Sequence, residues 1–188
     1  GSYKVYIERF HEKTGYIFDS DHQTIQMEPG AGPRHLAIDS KEKFIYVLEE
    51  LSGHISVFTY PDKSAPHLIQ RIRNTPPDFT GKAASADIHL SPDGKFLYAS
   101  NRGELNSIAI YAVDSRTGKL TLKGFQETMG KTPRNFNFDP TGKFLLVANQ
   151  NSDEIVVFKR NTRTGLLTDS GNRINVGKPV CIQWISTK

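Results

Sequence analysis

Apolar residues along this chain fall into short runs that recur at a fixed interval. Asp39-Ser-Lys-Glu-Lys-Phe-Ile-Tyr-Val, Ser91-Pro-Asp-Gly-Lys-Phe-Leu-Tyr-Ala and Asp139-Pro-Thr-Gly-Lys-Phe-Leu-Leu-Val share one design, a polar turn feeding a dense apolar strand. Aligning Phe44, Phe96 and Phe144 gives a period of about fifty residues. Before each turn, Arg34-His-Leu-Ala-Ile, Ala86-Asp-Ile-His-Leu and Arg134-Asn-Phe-Asn-Phe place apolar residues at alternate positions, as a pleated strand requires. A third strand follows as His54-Ile-Ser-Val-Phe, Ser107-Ile-Ala-Ile-Tyr and Glu154-Ile-Val-Val-Phe. In two units it ends in turns closed by Gly118 and Gly165, where positive φ is expected. A more polar fourth strand is predicted at Leu68-Ile-Gln-Arg-Ile, Leu120-Thr-Leu-Lys-Gly and Arg173-Ile-Asn-Val.

Four-stranded units at this spacing predict an all-β protein built of β-propeller blades of antiparallel strands. Residues 32–83, 84–131 and 132–177 form three blades, and residues 1–31 supply the end of another. Residues 178–188 supply the first strand of a closing blade. Gly1-Ser2 reads as an expression scar. A propeller must close its ring to cover its end faces, so three blades and two fragments point to about half of a larger propeller, completed by an amino-terminal half or by self-association. A compact four-bladed ring is the alternative, although no second strand for its last blade is visible.

Composition narrows the function. The chain has 188 residues with 37% hydrophobic content, as a folded domain does, and carries a net charge of +4. Its basic residues alternate with acidic ones and are not clustered with aromatics, which argues against nucleic acid and favours an anionic small molecule. No apolar run is long enough for a membrane helix. Cys181 is the single cysteine, which excludes an internal disulfide and fits a reducing, cytoplasmic setting. Serine-nucleophile elbows, phosphate-cradling glycine loops and paired-histidine zinc motifs are absent from the sequence.

Departures from the repeat locate candidate chemistry. Arg34 and Arg134 open the innermost strands of their blades after a proline, where the equivalents are Ala86 and Val180; the blade itself therefore does not demand arginine. A guanidinium at a channel mouth suits bidentate carboxylate or phosphate recognition, or else braces adjacent blades. At the exit of the second strand stand Glu50, Arg102 and Gln150. A carboxylate near several arginines stays ionised, which suits holding a water or substrate better than donating a proton. His35, Asp87 and His89 also lie on innermost strands, but they come from two blades and lack the tight spacing of a metal site. Neither a metal nor a cofactor is expected.

Gly30-Ala-Gly-Pro-Arg-His-Leu, Tyr46-Val-Leu-Glu-Glu-Leu-Ser, the phrase running from Asp87 to Gly103, and Lys131-Thr-Pro-Arg-Asn-Phe closely resemble the seven-bladed β-propeller lactonase family. The resemblance runs in order over residues 3 to 185 and places the chain in the carboxy-terminal half of such a protein. It implies hydrolysis of 6-phosphoglucono-δ-lactone to the open acid in the pentose phosphate pathway. Implied site residues are Arg34, Glu50 and His89 for catalysis, with Arg102, Arg134 and His35 for substrate binding; either Arg102 or Arg134 would meet the phosphate. The family's site also uses a histidine from the amino-terminal half. Two other readings use the same charges: a non-catalytic propeller binding a ligand or protein at its rim, and a muconate-type lactonizing enzyme.

Overall fold

The computed structural model describes residues 3–60 and 65–185, and of residues 19–23 only the backbone. A hairpin, β1 (Lys4–His11) with β2 (Tyr16–Gln26), precedes three four-stranded antiparallel meanders. The first blade comprises β3 (Pro33–Ile38), β4 (Phe44–Glu49), β5 (His54–Thr59) and β6 (Leu68–Arg73), each pairing with the next. The second comprises β7 (Ser85–Leu90), β8 (Phe96–Asn101), β9 (Ser107–Val113) and β10 (Leu120–Glu127). The third comprises β11 (Pro133–Phe138), β12 (Phe144–Asn149), β13 (Glu154–Arg160) and β14 (Leu167–Asn175). Among the described residues no helix is long and apolar enough to cross a membrane.

The blades face one another, and the period of two along each second strand explains how. Phe44, Tyr46 and Leu48 of β4 enter an apolar cluster shared with Ile88, Leu97 and Tyr111 of the second blade. The intervening Ile45 and Val47 point the other way and pack with Ile25, Met27 and Ala31 beside the hairpin. Phe96, Tyr98, Ile108 and Ile110 join Phe136, Phe138, Leu145 and Phe158 in the next seam. Every residue of β4 and β8 is buried, as strands covered on both faces should be. Each buried large apolar side chain contributes about 1.5–3 kcal/mol.

Two turn glycines carry the blade-to-blade stacking. Gly118 and Gly165 have φ of 72° and 78°. A Cβ on either would lie 2.5 and 2.4 Å from the rings of Phe44 and Phe96 of the preceding blade. Only glycine combines left-handed backbone with so close an approach.

At two places the strands differ from the pattern read in the sequence. The fourth strand of the third blade pairs through Arg173–Asn175 as expected but begins earlier, at Leu167, because Leu167 leaves the Asn161–Gly165 turn as Leu120 leaves its own and pairs with β13. The tail at 178–185 forms no ladder within the described residues. It is held instead by side chains of β11: the Ile182 N–H donates to Asn135 Oδ1 at 2.7 Å, and Asn137 Nδ2 donates to the Ile182 carbonyl at 3.0 Å.

Candidate functional site

The innermost strands β3, β7 and β11 carry equivalent irregularities near their starts. Pairing of β3 with β4 shifts between Pro33 and His35, that of β7 with β8 between Ser85 and Ile88, and that of β11 with β12 between Pro133 and Asn135. A bulge re-aims the residue that it leaves unpaired. Arg34 and Arg134 are those residues in the first and third blades, so a repeated backbone defect turns both guanidinium groups away from the ladder.

Arg34, Glu50 and Arg102 converge across the first two blades. Glu50 Oε2 lies 3.5 Å from Arg34 Nε, and Oε1 accepts from Arg102 Nη2. Main-chain carbonyls fix the arginines: Arg34 Nη1 donates to the Ala86 carbonyl, and Arg102 Nε to that of Ala84 at 3.2 Å. Their side chains are 16% exposed, whereas Glu50 keeps 32% of its surface open. Burial and the neighbouring Arg102 charge lower the Arg34 pKa, with Glu50 opposing them; an arginine remains charged regardless. Arg134 is half-buried and has no hydrogen bond or ion pair among the described residues, yet Arg34 feels its charge. Gln150 opens a short 3-10 turn, Gln150–Ser152, and brings no charge to the mouth.

One rung deeper, a buried carboxylate organises the wall. Asp87 is 2% exposed. Its Oδ1 meets His35 Nδ1 at 2.7 Å, and its Oδ2 meets His89 Nε2 at 3.1 Å and Asn135 Nδ2 at 2.6 Å. Burial would raise its pKa, but the hydrogen bonds from His35, His89 and the Phe136 N–H outweigh burial and hold it well below the usual carboxylate range. His35 also meets Arg34, Nε2 to Nη1 at 3.2 Å. The rim and the deeper cluster are therefore one polar chain, from Arg102 through Glu50, Arg34 and His35 to Asp87.

The deeper part of this cluster lines a cavity of about 670 Å³ whose walls include His35, Asp87, His89 and Asn135 together with Leu36 and Leu90. Among the described residues no group of three or more His, Cys, Asp or Glu side chains is arranged to hold a metal ion. A second carboxylate, Glu49, is fully buried. It takes Arg71 Nη2 at 2.6 Å, Ser56 Oγ at 2.7 Å and the Ser52 hydroxyl, tying β4 to β5 and β6. Of the adjacent pair Glu49-Glu50, one braces the blade and the other joins Arg34 and Arg102.

Successive four-stranded antiparallel blades packed face to face define a β-propeller architecture, and Arg34, Glu50 and Arg102 bring three charges together where its first two whole blades meet. Residues 1–184 match the family described as lactonase, 7-bladed beta-propeller, and the chain belongs to that family. A 6-phosphogluconolactonase of Bacillus subtilis (strain 168) is 39% identical over 158 residues, spanning 84% of this chain and 45% of the relative. One from Formosa agariphila is 45% identical over 144 residues, spanning 76% of this chain and 40% of its own length. The periplasmic gluconolactonase of Pseudomonas aeruginosa superposes with a TM-score of 0.92 at 34% identity, covering 98% of this chain and 51% of that structure. The chain thus spans about half the length of the relatives that it matches.

Proposed function

We propose that this chain carries the substrate-binding wall of a lactonase that opens 6-phosphoglucono-δ-lactone to 6-phosphogluconate, a step of the pentose phosphate pathway. The observation that carries this reading is the meeting of Arg34, Glu50 and Arg102, with Arg134 close enough for Arg34 to feel its charge and without a hydrogen bond or ion pair among the described residues. Lactone opening needs an oriented water, stabilisation of the oxyanion and a cation for the phosphate. Glu50, clamped between two guanidinium groups, serves as a fixed acceptor that orients water. Arg34 faces the carbonyl oxygen as charge develops. Arg134 takes the phosphate in preference to Arg102, since Arg102 is already tied to Glu50 and the Ala84 carbonyl. His35 and His89 act one rung deeper.

The test is acid release from the phosphorylated lactone by the full-length protein, followed by pH-stat above the spontaneous rate. Glu50→Gln should lower kcat by at least about tenfold, and Arg134→Ala should mainly raise KM. Wild-type kcat in Glu50→Gln would remove Glu50 from the reaction. We assign the protein to the cytoplasm, where the phosphorylated sugar is formed. Fractionation checks this, and recovery from the periplasm, the setting named for the Pseudomonas relative, would favour an unphosphorylated gluconolactone instead.

A further inference from the structure

We propose that Asp87 is the positioning residue of the channel wall: it holds two histidines in opposite tautomers, turning His35 Nε2 to Arg34 and leaving His89 Nδ1 open to accept a proton. The inference follows from what each group can donate. An ionised carboxylate only accepts, and an arginine only donates. His35 stands between the two, with Nδ1 on Asp87 at 2.7 Å and Nε2 on Arg34 Nη1 at 3.2 Å. Its proton must therefore be on Nδ1 and its ring must be neutral. A protonated or Nε2–H ring would set a donor against a donor.

His89 meets the same carboxylate through its other nitrogen, Nε2, at 3.1 Å. That nitrogen carries the proton, and in the neutral ring Nδ1 holds a lone pair with no partner among the described residues. Phe136 fixes the ring plane by an edge contact at 4.9 Å and 75°. Asp87 is fixed in turn: Asn135 Nδ2 and the N–H groups of Ile88 and Phe136 donate to it, which leaves the carboxylate little freedom to rotate. One buried anion thus sets the geometry of two rings, as an outer partner sets the tautomer of a working histidine elsewhere.

The catalytic half of this inference rests on the lactonase reading. A water oxygen adds to the lactone carbonyl carbon while its proton moves to His89 Nδ1. The ring C–O bond of the tetrahedral adduct then breaks, and the departing alkoxide takes that proton back. Atoms and charge balance without a co-reactant.

Long-range nitrogen-15 correlation spectra of this chain, with His35→Gln and His89→Gln supplying the assignments, test the tautomers directly. His35 should carry its proton on Nδ1 and His89 on Nε2, and Asp87→Asn should abolish that difference. Identical tautomers for the two rings, or a folded Asp87→Asn with unchanged spectra, would overturn the proposal. If Asp87→Asn does not fold, the wild-type tautomers decide alone. In the full-length protein, His89→Gln should lower kcat about a hundredfold with KM nearly unchanged, whereas His35→Gln, which only loosens Arg34 on the developing oxyanion, should lower kcat by about tenfold. Retained kcat in His89→Gln removes its proton role. If the wild-type protein opens no lactone, the lactonase reading fails while the spectra still decide the role of Asp87.

Discussion

The two seams between whole blades share their apolar plan but differ at the outer end. Between the second and third blades, Arg160 closes the seam. Its Nε donates to the Gly142 carbonyl at 2.7 Å, Nη2 reaches Asp93 at 3.0 Å, and the guanidinium lies 5.6 Å from the centre of the Phe138 ring. Beside it, Tyr98 donates to the Gly165 carbonyl at 2.6 Å. Between the first and second blades the repeat puts Val113 in place of Arg160, Lys41 in place of Asp93 and Leu90 in place of Phe138. The Tyr46 hydroxyl, equivalent to that of Tyr98, is buried without a hydrogen-bond partner among the described residues. A cavity of about 150 Å³ remains, bordered by Asp39, Lys41, Phe44, Tyr46 and Val113. Repeats therefore conserve the apolar interface more strictly than its polar seal, and the seams should differ in strength.

The largest expected effect comes from unsealing the stronger seam. Arg160→Ala removes a buried guanidinium together with its bonds to Asp93 and the Gly142 carbonyl and its packing on Phe138, and should cost about 2–3 kcal/mol, read as a lower urea midpoint at unchanged m. Next comes a contrast between equivalent tyrosines. Tyr98→Phe leaves the Gly165 carbonyl unsatisfied and should cost about 1–2 kcal/mol, whereas Tyr46→Phe removes an orphaned hydroxyl and should be neutral or stabilising. Equal losses at the two positions would erase the asymmetry.

A smaller effect is set by pH. Burial raises the Asp93 pKa, but Arg160 and Ser91 outweigh it and bring the pKa down to about 2. The folded protein then binds fewer protons at this site than the unfolded chain. The contribution is complete above the unfolded pKa of about 4 and fades as pH falls through the folded value. Acid titration of stability should accordingly be flatter between those pH values in Asp93→Asn than in wild type. Smallest of all, Lys41→Asp with Val113→Arg should copy the seal into the open seam and raise the stability read from urea unfolding by under about 1 kcal/mol. Val113→Arg alone, facing Lys41, should give no gain.

Much of the fold was legible because each blade repeats one turn and one apolar run, and the expected positive φ at Gly118 and Gly165 is present. The first part of the third blade's outer strand was missed because Asp169, Ser170 and Asn172 in β14 make its polarity resemble a loop. Arg34, Glu50 and Arg102 stood out as breaks in the repeat and do meet, while Arg134 has no hydrogen bond or ion pair among the described residues. The anchoring role of Asp87 was missed since its partners lie 52 and 48 residues away, on neighbouring blades. The aligned repeats contained that signal: His35, Asp87 and Asn135 occupy one rung of adjacent innermost strands. Glu49 escaped notice because one residue of register decides which of two adjacent carboxylates is buried with Arg71.

That shared rung has a directional consequence. Asp87 of the second blade accepts the Phe136 N–H of the third at 3.2 Å, and Asn135 of the third accepts the Ile182 N–H of the tail at 2.7 Å. The innermost strands of the second and third blades thus each offer an acceptor that seats the segment made after them. A chain emerging amino end first meets a finished cradle for those later segments, so their assembly is templated along the order of synthesis. Nested truncations probed by pulse proteolysis should gain protection one blade at a time from the amino end, making the wall of the channel also the scaffold on which the next part of the molecule is laid.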